Sequence, residues 1–247
     1  MIHLKSPDEI ERLFEAGQLV KQVHDELEKL VAPGISTAEL DAFAEALILK
    51  NKAQPAFKGY HGYPATLCVS INHEVVHGIP SPKRKIKDGD LVSIDLGVII
   101  GGWFGDAART HLAGNASADM KKLSDATRDS LMKAVTVMLP GNRLGDIGHA
   151  VQSTVEPLGY SVVRDFVGHG IGRAMHEDPQ IPNYGQPGTG IRLKEGMVLA
   201  VEPMVNAGTW EVKVLRDGWT VVTRDQKPSA HWEHTVAITK DGPRVLT

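Results

Sequence analysis

The sequence predicts an α/β (α+β) fold made of two duplicated halves packed about an approximate twofold axis, and three observations predict it. Pairs of capped helix patterns precede clusters of strand patterns twice along the chain. Two-residue turns at Gly101-Gly102 and Asp217-Gly218 join neighbouring strands as antiparallel hairpins. Blocks of residues also recur at one fixed offset of 107 positions.

Ser6-Pro7-Asp8-Glu9 spells a helix start: serine at the N-cap, proline at the first helical position and glutamate three residues past the cap. This helix runs through Ile10, Leu13 and Phe14 to about Leu30, and Pro33-Gly34 stops it. Ser36 and Glu39 form a second capping box, opening a helix through Leu40, Phe43 and Leu47. A helix, a break at Pro140-Gly141 and another helix recur from about Met120 to Val155. Strands are expected at 91–99, 103–110, 160–167, 197–205, 211–215, 219–223 and 231–239.

At the common offset, Pro33-Gly34 maps onto Pro140-Gly141, Glu39 onto Asp146 and Leu40 onto Ile147. The same offset carries Lys87, Gly89 and Asp95 of KDGDLVSID onto Lys194, Gly196 and Glu202 of KEGMVLAVE. One proline-glycine match means little, but two separated blocks in one register make a repeat. Halves of about 10–115 and 120–240 within a single domain, 1–247, follow. Twofold packing of such halves brings the equivalent strand ends, Asp95 and Glu202, to one central cleft. Ser93 and Ala200, two positions earlier on the same strand faces, leave room there.

Of the 247 residues, 42% are hydrophobic and 23% charged, enough for a sizeable core. A formal net charge of -3 gives no electrostatic footprint for wholesale nucleic-acid binding. The single cysteine, Cys68, excludes an internal disulfide framework and a cysteine-rich zinc module, in keeping with a reducing compartment. MIHLKSPDEIERL has no basic stretch followed by an apolar run, and no apolar segment reaches membrane-spanning length. A soluble cytoplasmic protein with no membrane partner is expected.

The strand LVSID is apolar until it meets Asp95, and an unpaired buried carboxylate is costly. Across the Gly101-Gly102 turn, hairpin register puts Asp106 on the same face as Asp95, as a diagonal neighbour. Two such charges about 4 Å apart repel by about 4 kcal/mol at an effective dielectric near 20. With Glu202 added by the repeat, cations or shared protons are required. AHWEHTVAI puts Glu233 on one strand face with His231 and Thr235, and FVGHGIG sets His169 between glycines, where backbone can approach a ligand closely. Four carboxylates and one imidazole make a mostly hard oxygen set suited to two divalent ions such as manganese, iron or cobalt.

SIDLG (Asp95), GDAAR (Asp106), GHGIG (His169), VEP (Glu202) and HWEHT (Glu233), in this order, resemble the pita-bread metallopeptidases of the M24-like family, and closely their type I methionine aminopeptidase branch. GYHGYP, INHEVVHGIP, MHEDP and DGWTVVTRD extend the resemblance over essentially the whole chain. It implies a pita-bread fold with a central antiparallel sheet flanked by helices, and a single catalytic domain. The implied activity is removal of an N-terminal, initiator methionine from nascent proteins and peptides when the second residue is small, by a dimetal-activated water. The implied cofactors are two divalent ions, cobalt, manganese, iron or zinc. Asp95 serves one, His169 and Glu202 the other, and Asp106 and Glu233 bridge them.

In the same carry-over Glu202 shuttles a proton, while His77 and His176 contact the scissile amide. Tyr60, Tyr63, Cys68, His77, Met175, His176 and Trp219 form the substrate pocket, whose aromatic and polarizable groups suit a thioether. Some relatives carry an aromatic where Met175 stands and a cysteine where Phe57 stands, which alters the pocket's shape. The resemblance further implies a monomer, and the basic run at 83–87 within PKRKIK would make a transient ribosome contact. Two alternatives share the fold: an Xaa-Pro aminopeptidase or prolidase, whose members generally carry an additional N-terminal domain, and a catalytically inactive pita-bread binding module, which would lack ligands.

Overall fold

The structure is a computed structural model and describes residues 2–247. Ser6 Oγ accepts from the Glu9 N–H at 3.3 Å and the Glu9 carboxylate accepts from the Ser6 N–H at 2.9 Å, so the expected capping box opens α1 (Pro7–Leu30). Ser36 and Glu39 repeat the arrangement at α2 (Thr37–Lys50). After the short β1 (Gln54–Pro55) come β2 (Leu67–Ile71), β3 (Glu74–Val76), β4 (Leu91–Ile100) and β5 (Trp103–Leu112). Val20, Val23 and Leu27 of α1 and Leu40 and Ile48 of α2 close one core over Leu67, Ile94 and Leu96. α1 meets β5 backbone to backbone: a Cβ on Gly105 would stand 2.7 Å from the Ala16 carbonyl carbon.

The second half opens with α3 (Ala118–Thr136) and α4 (Leu144–Val155). It continues with β6 (Ser161–Val162), β7 (Gly168–Gly170), β8 (Glu177–Ile181), β9 (Val198–Val201) and β10 (Met204–Asn206). The last strands are β11 (Val212–Val214), β12 (Val221–Thr223), β13 (Ser229–His231), β14 (His234–Thr239) and β15 (Gly242–Val245). Leu131 and Val151 of its helices cover Leu199, Val201 and Val236 in a second core. Among the described residues, no helix is long and apolar enough to cross a membrane.

All strand pairings are antiparallel. β4 pairs with β5 on one side and with β1 and β2 on the other; the second half carries the order β15-β14-β9-β7-β8, with two small sheets, β13-β10-β6 and β11-β12-β3, beside them. The duplication is visible in the backbone bonds. Gly34 N–H donates to Ile86 O at 2.8 Å and Gly141 N–H to Leu193 O at 3.0 Å, 107 residues on at both ends. Ser36 bridges Lys85 as Arg143 bridges Arg192, and Gly89 and Gly196 turn at φ of 89° and 87°.

Two expected strands are broken. The segment 197–205 divides at Glu202-Pro203, and 231–239 divides at Trp232-Glu233. At the first point the chain leaves the five-stranded sheet's ladder for the β13-β10-β6 sheet, where Pro203 has no N–H to continue it, and at the second it passes back from that sheet into the five-stranded one. The expected strand at 160–167 is only β6, while β2, β7 and β8 were not expected. β11 and β12 do flank the Asp217-Gly218 turn, closed by the Asp217 carboxylate accepting from the N–H groups of Trp219 and Thr220 at 2.9 Å each.

Candidate active site

The two half-sheets meet edge to edge at β5 and the segment leading into β14. Glu233 N–H donates to Ala108 O at 2.9 Å, Thr235 Oγ1 to Asp106 O at 2.8 Å, and Thr110 Oγ1 to His231 O at 2.7 Å. On β4 and β5, Gly97 lies opposite Asp106 and Asp95 opposite Ala108, so the two aspartates are diagonal neighbours on one face, as hairpin register required. Glu202 and Glu233 project from the two strand breaks, and His169 from β7, which pairs with β9 at Ala200. The glycines beside His169 serve neighbouring backbone rather than a ligand. A Cβ on Gly168 would be 2.3 Å from Ala200 O, and one on Gly170 2.2 Å from Asp178 O.

Ligand atoms of Asp106, His169 and Glu233, all buried, lie within 4.8 Å of one another. His169 Nε2 is 3.8 Å from Asp106 Oδ2 and 3.5 Å from Glu202 Oε1. His169 Nδ1–H donates to Gly170 O at 2.9 Å, which leaves a bare lone pair on Nε2 facing those carboxylates. Burial pulls this imidazole down to about 4, so near neutral pH it brings no proton of its own. Were those carboxyls ionised, acceptor would face acceptor.

The acids carry the strain of that arrangement. Burial pushes Asp95 up to about 7, partly offset by a hydrogen bond with Asp106. Burial and then the charges of Glu233 and Asp95 push Asp106 well above the usual carboxylate range; Glu202 and Glu233 are raised by burial and then by the neighbouring carboxylates. Asp95 Oδ1, Asp106 Oδ1 and Glu233 Oε1 are buried without a hydrogen-bond partner. Orphaned carboxyl oxygens around one imidazole lone pair are what divalent cations satisfy, displacing the protons, so the residues fit a metal centre.

All five groups line a cavity of about 420 Å³, whose lining also includes Tyr60, Tyr63, Cys68, His77, Met175, His176 and Trp219. Tyr63, Cys68 and Met175 pack with Phe57 in an apolar cluster that Tyr60 and Trp219 partly cover. Cys68 lies across β2 and β4 from Asp95, and Tyr63 Oη donates to Leu67 O at 2.9 Å and Gly78 O at 3.1 Å. Tyr60 Oη stands 2.8 Å from His176 Nδ1, and the His176 ring centre is 4.3 Å from that of His169. His77, at φ 60°, sets its ring edge-on to Phe166 and Trp219. Burial lowers His77 to about 4 and lowers His176 as well.

Sequence reasoning missed His61, an exposed residue at φ 48° that also lines the cavity; the alternation of Gly59, Tyr60, His61, Gly62 and Tyr63 was its signal. It also missed Asn183, whose amide donates to Glu202 O at 3.0 Å across the strand break. His231 Nε2, buried and without a hydrogen-bond partner, lies 3.9 Å from Glu202 Oε2. In the basic run, Lys83, Lys85 and Lys87 are exposed, whereas Arg84 turns inward to pair with Glu74 and to donate to Ile79 O at 3.0 Å.

The model of Metallopeptidase family M24 matches residues 11–240. The chain is 54% identical over 247 residues to methionine aminopeptidase 1 of Bacillus subtilis, covering 100% of this chain and 99% of that one. It is similar to the crystal structure of methionine aminopeptidase from Thermotoga maritima at a TM-score of 0.98 and 48% identity, covering 100% and 99% of the two chains. The prolidase of Pyrococcus horikoshii matches at a TM-score of 0.79 and 26% identity, covering 99% of this chain but 63% of that one. Duplicated halves around a central antiparallel sheet are the pita-bread fold common to these structures. A match across almost the entire length, joined to a buried carboxylate–imidazole cluster of the kind a metallopeptidase needs, leads to one statement: the chain belongs to metallopeptidase family M24.

Proposed function

We propose that the chain removes the N-terminal methionine from nascent proteins and peptides when the second residue is small, using a water activated by two divalent ions. One observation carries the reading: a single cavity is lined both by the cluster of orphaned carboxyl oxygens and by an apolar group of Phe57, Tyr63, Cys68 and Met175. The acids suit a free amine and a scissile amide, the apolar group an unbranched thioether.

Asp106 and Glu233, with Asp95, His169 and Glu202, would hold the two ions. Cobalt, manganese, iron and zinc all suit such donors. When bound, the ions supply a nucleophilic water near neutral pH and polarise the scissile carbonyl. Glu202, whose carboxyl burial raises, takes the proton of the attacking water and returns it to the departing amine. His176 is steadied by Tyr60 at 2.8 Å and His77 by its aromatic neighbours, and both imidazoles hydrogen-bond the amide as it becomes tetrahedral. The enzyme is a cytoplasmic monomer in this reading, and any ribosome contact would use Lys83, Lys85 and Lys87, since Arg84 is engaged with Glu74.

The test is to strip the metal, restore manganese, cobalt or iron, and compare Met-Ala-Ser with an Xaa-Pro peptide. Release of methionine from the first is the expected result. Cleavage of the second alone would move the chain to the prolidases, and cleavage of neither with any metal would favour an inactive binding module.

A further inference from the structure

Lys5 is a lysine with a side chain only 2% exposed, far from the metal cluster in sequence and unused by the mechanism above. Its Nζ donates to Glu177 Oε2 at 2.5 Å and to His3 O at 3.1 Å, while its backbone N–H is fixed on Gly196 O at 2.7 Å. The other oxygen of the same carboxylate, Glu177 Oε1, accepts the N–H groups of Arg173 and Ala174 at 2.8 and 3.2 Å. Gly172 has to be a glycine to let the two side chains meet over it, since a Cβ there would lie 2.6 Å from both Lys5 Cε and Glu177 Oε1.

The loop so held, 172–176, ends in Met175 on the apolar wall and His176 beside His169. Arg173, Ala174 and His176 are exposed; Met175 is buried in the apolar cluster and the Arg173 guanidinium lies 4.2 Å from the Trp103 ring centre, but the backbone between them takes its side-chain hydrogen bonds from Glu177. Burial works to raise the Glu177 carboxyl, yet Lys5 and the loop amides together bring it below its ordinary value, so the carboxylate stays charged and keeps both amides as donors.

We propose that Lys5 is a positioning residue for the cavity: through Glu177 its ammonium holds the 172–176 loop, and with it Met175 and His176, in place. This rests on reading those two residues as part of the methionine-cleaving site, but the strut itself can be measured without activity. Lys5→Met should lower kcat/KM for Met-Ala-Ser about ten- to a hundredfold, because a small misplacement of a positioned group is expensive. Manganese affinity by calorimetry should stay at the wild-type value. Lys5→Arg should recover most of the loss, and adding Lys5→Met to Glu177→Gln should cost nothing further, since the two act in series.

Hydrogen exchange supplies the independent readout: the amides of Arg173 and Ala174 should exchange faster in Lys5→Met while those of β4 do not change. Wild-type exchange at these two amides in folded Lys5→Met, or losses that add in the double variant, would overturn the proposal. A wild-type protein that leaves Met-Ala-Ser intact would remove the functional reading, and the exchange comparison would still decide the strut. If Lys5→Met does not fold, Glu177→Gln carries the same comparison, with unchanged exchange at Arg173 and Ala174 again overturning it.

Discussion

The two halves deliver their acids by different local structures. Asp95 and Asp106 sit within unbroken ten-residue strands, β4 and β5, whereas Glu202 and Glu233 sit where the chain steps from one sheet to another. A short aspartate on a regular strand has one place to be, set by hairpin register. A glutamate at a step has a longer reach and a backbone outside the ladder, tied by Asn183 at one break and by the Ala108 carbonyl at the other. The offset of 107 aligns Asp95 with Glu202, so the repeat preserves the position of the charge while the backbone beneath it differs.

Removing charge from the centre breaks both halves alike and has the largest expected effect. Asp106→Asn and Glu233→Gln should each cost about a thousandfold or more in kcat/KM for Met-Ala-Ser, with weakened manganese binding by calorimetry. Changing length separates the halves. Asp106→Glu and Glu202→Asp each move a carboxylate by one methylene, at a cost of about a hundredfold. The strand variant should be the worse of the two, because β5 is fixed by a full ladder and the 202–203 step is not. A larger loss at Glu202 would end the idea that the step is the more forgiving site.

Metal and pH act on the whole cluster. Asp95 is raised to about 7 by burial, against roughly 3.9 for an unfolded aspartate. The folded state then holds the proton more tightly, so this contribution to stability is complete below about pH 4 and disappears as pH climbs through about 7. Asp106, Glu202 and Glu233, also raised, act in the same direction. Metal-free protein should lose stability over that window, and manganese at about a hundred times its Kd should raise Tm by about 5–10 °C at pH 8. At the same manganese concentration the gain should be smaller at pH 5, where the ion must displace protons and its Kd is weaker. Equal gains in a thermal melt at both pH values would contradict protonated acids in the metal-free cluster.

What the sequence made legible followed from rules with fixed arithmetic. Hairpin register placed Asp95 beside Asp106, and the offset placed Glu202 in their cleft before any contact was known. The capping boxes at Ser6 and Ser36 were equally plain. Sheet switching was not read from the residues, although Pro203 argued against a continuous strand at 197–205. The glycines around His169 suggested a ligand but answer to crowding from Ala200 and Asp178 on neighbouring strands, which only tertiary structure shows. Asn183 and Lys5 were illegible for the same reason: each works through a partner distant in sequence.

The smallest test asks whether the duplicated helix starts have also diverged. Ser36 Oγ caps α2 by accepting from Glu39 N–H at 3.3 Å and donates to the same glutamate's carboxylate at 2.6 Å. At the equivalent start of α4, the side chain of Arg143 cannot accept an N–H; the cap is Asp146, which accepts from the Arg143 N–H at 2.7 Å and from Gly188 N–H at 2.7 Å. Ser36→Ala should therefore cost about 1 kcal/mol, read as a Tm lower by about 2–4 °C. Arg143→Ala keeps its backbone donor and loses only an exposed bond to Gly190 O, so it should cost less than about 0.5 kcal/mol. Equal losses would mean that the arginine side chain does at α4 what the serine hydroxyl does at α2, and that the second helix start depends on its tie to Gly190 rather than on Asp146.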